Sequence, residues 1–133
     1  GNMRMFLFLY RMSRKIKGFD TLLRILYGCD IPYEAQIGKN TFFAHRGMGT
    51  VVHPDAVIED DVFIQHHVTI GVNHSKEEGV PVIRKNVFIG PYAMILGNVE
   101  IGEGAKIGAG TLVMQSVEPN SVYVNNIKLR RIR

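Results

Sequence analysis

Six side chains in this sequence are equipped for acid–base or nucleophilic chemistry: Asp30, His45, His66, His67, His74 and the lone cysteine, Cys29. A neutral imidazole titrates close to physiological pH, so it can take a proton from a hydroxyl that is attacking something else. A carboxylate on the second ring nitrogen would fix the tautomer and stabilise the imidazolium that forms. Asp30 and His45 are 15 residues apart, with His45 in the first break of the pattern described below, whereas His66 and His67 are adjacent. In an extended chain, neighbours point to opposite sides, so at least one of that pair faces outward. His74 sits in a polar loop, and His53, before Pro54, reads as a structural corner residue. One cysteine allows no internal disulfide and fits a reducing compartment.

The elements that must position these residues announce themselves by a six-residue period. From Ile83 to Val117, an aliphatic residue recurs at 83, 89, 95, 101, 107 and 113, and a small or β-branched one follows four places after each. Such a period is the mark of a parallel β-helix, in which each hexad is one short strand and one turn. The aliphatic side chain stacks on its counterpart about 4.8 Å along the axis, and the small one also points inward. A helix would need apolar residues at three- and four-residue spacing, which the stretch lacks. Traced backwards, the same register holds at Ile31, Ile37 and Phe43, slips by three residues, resumes at Val52, Ile58, Ile64 and Ile70, and breaks again before Ile83. The slips fall at 44–50, around His45, and at 72–82, around His74. Loops that interrupt a regular scaffold are where function concentrates.

The expected organisation is a helical segment at 3–29, a β-helix at 30–120 carrying those two insertions, and a basic tail at 121–133. Gly1 and Asn2, ahead of Met3, read as remnants of a cleavage site and are left out of the fold. Met3 to Lys17 reads as one helix stopped by Gly18, and Phe19 to Tyr27 as a second, closed by Gly28. Their apolar faces, flanked by Arg and Lys, suit packing on the coil or peripheral contact with a membrane. No signal peptide is visible, and the apolar run Met5 to Tyr10 is too short to span a bilayer. The net charge of +4 admits an anionic partner. Nucleic acid is disfavoured, because no helix-turn-helix, RNP or zinc-knuckle pattern is present.

The hexad array, Asp30-Ile31, the insertion around His45, Val68-Thr69-Ile70-Gly71 followed by a loop, and the later Ile-Leu-Gly and Lys-Ile-Gly-Ala-Gly runs resemble the serine acetyltransferase branch of the hexapeptide acyltransferases. Gly28-Cys29-Asp30-Ile31-Pro32, preceded by two short helices, looks most like the small O-acetyltransferases of bacterial polysaccharide biosynthesis. The resemblance covers roughly residues 28–120. It implies a left-handed β-helix, a homotrimer, acetyl-CoA as acetyl donor and no metal. It also implies a cytoplasmic protein, at the inner face of the membrane if the helices dock there.

By that resemblance, His45 is the catalytic base and Asp30 its orienting carboxylate, with the acceptor attacking directly. His74 and His67 would contact substrate. Gly71, Gly90, Ala93, Lys106 and Ala109 would line the coenzyme groove. Serine acetyltransferases carry Asp before the catalytic His and Arg-His-Pro in the second loop, where this chain has Ala44 and Gly79-Val80-Pro81. A serine carboxylate would then lack its cationic partner. A saccharide hydroxyl is therefore the expected acceptor, with serine as the alternative. Zinc-binding carbonic anhydrases of the same fold carry a pair of histidines five apart, and no pair here is so spaced. A non-catalytic scaffold would leave the Asp30 and His45 match as coincidence.

Overall fold

The computed structural model describes residues 2–75 and 78–132. The hexads fold as the period dictates, into a three-faced coil of short parallel strands. Face 1 stacks β1 (Gln36–Ile37), β4 (Val57–Ile58), β7 (Val82–Ile83) and β10 (Glu100–Ile101). Face 2 stacks β2 (Phe42–Phe43), β5 (Phe63–Ile64), β8 (Phe88–Ile89), β11 (Lys106–Ile107) and β13 (Val122–Tyr123). Face 3 stacks β3 (Val51–Val52), β6 (Thr69–Gly71), β9 (Met94–Leu96) and β12 (Leu112–Val113).

Register follows the inward aliphatics: Ile58 pairs with Ile83, Ile64 with Ile89, and Ile70 with Ile95. These six are at most 1% exposed, and burying such a side chain contributes roughly 1.5–3 kcal/mol. The small positions are buried as well: Ala35, Ala56, Ala93 and Ala105 have no exposed surface. Nothing larger fits between facing columns, so the period is held by volume as much as by hydrophobicity.

Two corners repeat a left-handed turn residue three places before the inward aliphatic. Between faces 1 and 2 it is Asn40, Asp61, Asn86, Gly104 and Asn120; between faces 2 and 3 it is Gly49, His67, Tyr92 and Gly110, all at positive φ. The amide of each later member donates to a corner carbonyl of a preceding coil, as Asn86 does to Asp60 and Tyr92 to His66. The remaining corner, between faces 3 and 1, carries the long insertion after β6.

The helices cap the first coil. α1 (Asn2–Ser13) seats Phe6 against Phe43, with ring centroids 5.6 Å apart, and Tyr10 donates from its hydroxyl to the carbonyl of Ala35. α1 ends at Ser13 rather than Lys17: the Ser13 hydroxyl donates back to the Tyr10 carbonyl, and the following basic run leaves in a turn. Hydroxyl back-bonding competes with the helix ladder, and like charges three and four apart oppose continuation. α2 (Phe19–Tyr27) ends as expected, with Gly28 at φ 61° and its amide donating to Arg24.

Candidate active site

The first slip, three residues more than a hexad, is taken up by a tight four-residue turn, Ala44–Gly47, between faces 2 and 3. His45 and Arg46 are consecutive left-handed residues, at φ 52° and 56°. That conformation costs a non-glycine residue about 1–2 kcal/mol, and it lifts both side chains out to solvent. The His45 ring meets His66 edge-on, with centroids 4.9 Å apart. His66 in turn meets Tyr92 edge-on at 5.4 Å, and His67 lies flat on Tyr92 at 4.7 Å and 14°. One corner therefore gathers three histidines and a tyrosine. Among the described residues, the buried Nδ1 of His66 has no hydrogen-bond partner.

Tyr92 completes the cluster and is the member that the sequence reading misses; of the three histidines named there, site roles are expected for His45 and His67 alone. The signal was available in the register: His67 and Tyr92 occupy the same place, three before Ile70 and Ile95, so they must stack in successive coils. His67 lies at the His45 corner, and neither it nor His66 enters the core.

Asp30 lies at the start of face 3, bridged to Val51. Its carboxylate forms an ion pair with Arg24 on α2 at 2.9 Å, with both side chains substantially exposed. No hydrogen bond joins Asp30 to His45 among the described residues, so a dyad requires Asp30 to exchange partners. His74 lies elsewhere, on the corner between faces 3 and 1, in a cleft of about 640 Å³ lined by His53, Asp55, Asn73, Glu78 and Val80. His45 and His74 thus stand at the two corners that bound face 3.

The residues expected along a coenzyme groove divide between surface and interior. Lys106 and Ala109 are exposed, and Gly71 is half-exposed, where a Cβ would make only ordinary contacts with Leu96 and Thr69. Gly90 is buried, and a Cβ there would meet the Ala109 backbone nitrogen at 2.7 Å. Its role is coil-to-coil packing. Ala93 is entirely within the core, so a large side chain there would overfill the interior rather than block a groove, which corrects its expected use as a groove-facing position. Cys29 is buried, and desolvation followed by the neighbouring Asp30 charge pushes its thiol up to about 11. That makes it a poor nucleophile. Among the described residues, no three His, Cys, Asp or Glu side chains stand where they could hold a metal ion.

The pattern of bacterial transferase hexapeptide repeats, six of them, matches residues 81–115. The serine acetyltransferase of Salmonella typhimurium is 45% identical over 98 residues, which are 73% of this chain and 36% of that protein. The serine acetyltransferase of Buchnera aphidicola subsp. Schizaphis graminum is 42% identical over 96 residues, 71% of this chain and 36% of that one. Among solved structures, serine acetyltransferase from Brucella abortus in complex with coenzyme A superposes with a TM-score of 0.82 at 32% identity, covering 91% of this chain and 52% of that one. The soybean apoenzyme gives 0.77 at 38%, covering 89% and 51%. The chain spans little more than a third of its curated relatives and about half of the solved structures. With the hand of the coil given by its repeats as left-handed, the chain is a hexapeptide-repeat β-helix of the serine acetyltransferase-like branch.

Proposed function

We propose that the chain carries the acyl-transfer unit of an acetyl-CoA-dependent O-acetyltransferase, with His45 as general base. The observation that supports this best is the turn at Ala44–Gly47, where a histidine is held exposed on a left-handed backbone beside His66, His67 and Tyr92. His45 would take the proton of the acceptor hydroxyl as its oxygen attacks the thioester carbonyl. The tetrahedral intermediate then collapses, the carbon–sulfur bond breaks, and the proton leaves with the CoA thiol. Asp30, released by Arg24, would orient the imidazole. The coenzyme would run past the exposed Ala109 with Lys106 near its phosphates, and Gly71 leaves room at the far side of face 3.

The relatives weigh for serine as acceptor and against the saccharide that the loop residues suggested. One feature keeps a neutral hydroxyl compound as a second reading: among the described residues, the charged side chains lining the His74 cleft are Asp55 and Glu78, which repel a carboxylate and suit a polyol. Assembly into a trimer is part of the proposal. Phe42 and Val51 are 39% and 43% exposed, and Phe42, Phe63 and Phe88 form a stacked ladder along face 2. A three-fold contact would cover such surface and bring one protomer's corner to another's face.

The test is to incubate the purified protein with acetyl-CoA and serine, or with a panel of sugars and nucleotide sugars, following CoA release and the mass of the ester. Serine acetylation is the expected result. Ester formed only on a saccharide would move the acceptor to the second reading. CoA release with no acceptor in the panel would overturn the proposed activity, as would a stable monomer at micromolar concentration for the assembly.

A further inference from the structure

Charge is distributed unevenly along this chain. Residues 3–28 hold six basic side chains and one acidic, whereas residues 29–120 hold six basic and eleven acidic. The helical cap is thus strongly cationic at one end of an anionic coil. The same cap leaves large apolar side chains in solvent. On α1, Met5 and Phe8 are 54% and 55% exposed; on α2, Leu22, Ile25 and Leu26 are 37%, 74% and 56% exposed. These are second stripes, distinct from the ones that hold the cap in place. Phe6, Leu9 and Tyr10 of α1 and Leu23 of α2 face the coil, while residues 5 and 8, and 22, 25 and 26, fall at helical spacing on other sides. The helices are packed together through Phe6 and Tyr27, centroids 5.6 Å apart.

Arg4 and Arg11 lie four and three residues from Phe8, and Lys15 follows just past the end of α1, all exposed. Long cationic side chains can lay their stems over such a stripe and carry their charges to an anionic surface. An apolar stripe rimmed by arginine and lysine, with no acidic residue on α1, is complementary to a lipid headgroup layer and is costly to leave in water. No helix among the described residues is long and apolar enough to cross a membrane, so the contact would be peripheral.

We infer that the exposed stripes of α1 and α2 form a docking surface for an anionic lipid bilayer, with Phe8, Ile25 and Leu26 entering the interfacial layer and Arg4, Arg11 and Lys15 reading its charge. This stands apart from the proposed chemistry. The cap residues named take no part in acyl transfer, so acetyl-CoA turnover in solution should be the same in every variant below.

The experiment is co-sedimentation of the full chain with vesicles of phosphatidylcholine alone or mixed with phosphatidylglycerol, alongside sedimentation velocity without lipid. The full chain should bind the mixed vesicles, release with added salt and ignore the neutral ones. Arg4→Glu/Arg11→Glu/Lys15→Glu should weaken binding by at least about a hundredfold, since each basic residue near an anionic surface is worth about a factor of five. Phe8→Ser/Ile25→Ser/Leu26→Ser, which removes exposed groups only, should weaken it by at least about tenfold. Absence of binding to mixed vesicles at low salt would overturn the inference, as would binding that both variants retain. A serine variant that changes the sedimenting species while lipid binding stays absent would assign the stripes to contact between copies instead.

Discussion

Two corners of the coil solve the same geometric problem with different residues. Between faces 1 and 2, the left-handed turn position is filled by Asn40, Asp61, Asn86, Gly104 and Asn120. Asparagine, aspartate and glycine are the residues that tolerate this conformation at least cost. Between faces 2 and 3 the equivalent positions are Gly49, His67, Tyr92 and Gly110, and the insertion adds His45 and Arg46 in the same conformation. Nothing about the turn itself calls for histidine or tyrosine. The first corner is chosen for the backbone; the second accepts strain to place imidazoles and a phenol side by side. Strain retained where a relaxed solution exists one corner away points to a function at the strained corner.

The comparison can be broken by substitution. The largest effect is expected where the second corner turns into the core. Ala93→Tyr overfills a position with no exposed surface and should lower stability by about 3 kcal/mol, the upper end for overpacking, measured by chemical denaturation. Next comes the relaxed corner. Asn86→Val places a β-branched residue at φ 59° and should cost about 1–2 kcal/mol while leaving acetyl transfer unchanged. Tyr92→Asn should do the reverse: relief of the turn offsets the lost stacking, so stability changes by less than about 1 kcal/mol while turnover falls. A Tyr92→Asn protein with full turnover would reduce the second corner to packing.

The smallest effect concerns the outer surface of face 1, where Arg84 bridges Glu100 and Glu59 at 2.9 and 3.3 Å. The hydrogen bond from Arg84, then its charge, holds the Glu100 carboxyl below its ordinary pKa. A depressed acid contributes stability that is present above its unfolded pKa and lost as pH falls through the folded one. Arg84→Gln should therefore lower Tm slightly at neutral pH and not at all once both carboxyls are protonated, a difference read directly from thermal melts across pH.

Much of this architecture was legible because volume and period act together. Ile83, Ile89 and Ile95 could not all be inward without fixing Val87 and Ala93 as inward too. The slips around His45 and His74 were legible as failures of that arithmetic. Ser13 was not: a single back-bonding hydroxyl ended α1 five residues before the glycine that marked its stop. Arg24 was not either, since the partner of Asp30 lies on another element and no spacing connects them. His45 and His74 were read as neighbours in function, yet within one protomer they occupy different corners, a fact of the three-fold geometry that no local pattern contains.

The central claim is that the strained corner presents a base. It is tested most directly by comparing kcat/KM of acetyl transfer for the wild type, His45→Asn, Asp30→Asn and the double variant, with coenzyme binding and thermal unfolding as controls. The account predicts that His45→Asn folds, binds acetyl-CoA and loses activity by about 10²–10⁴-fold. Asp30→Asn should lose no more than that, and the double variant should lose hardly more than His45→Asn alone, as residues acting as one unit do. A His45→Asn protein that transfers acetyl at nearly the native rate, while His74→Asn is inactive, would contradict the account and move the base to the corner between faces 3 and 1.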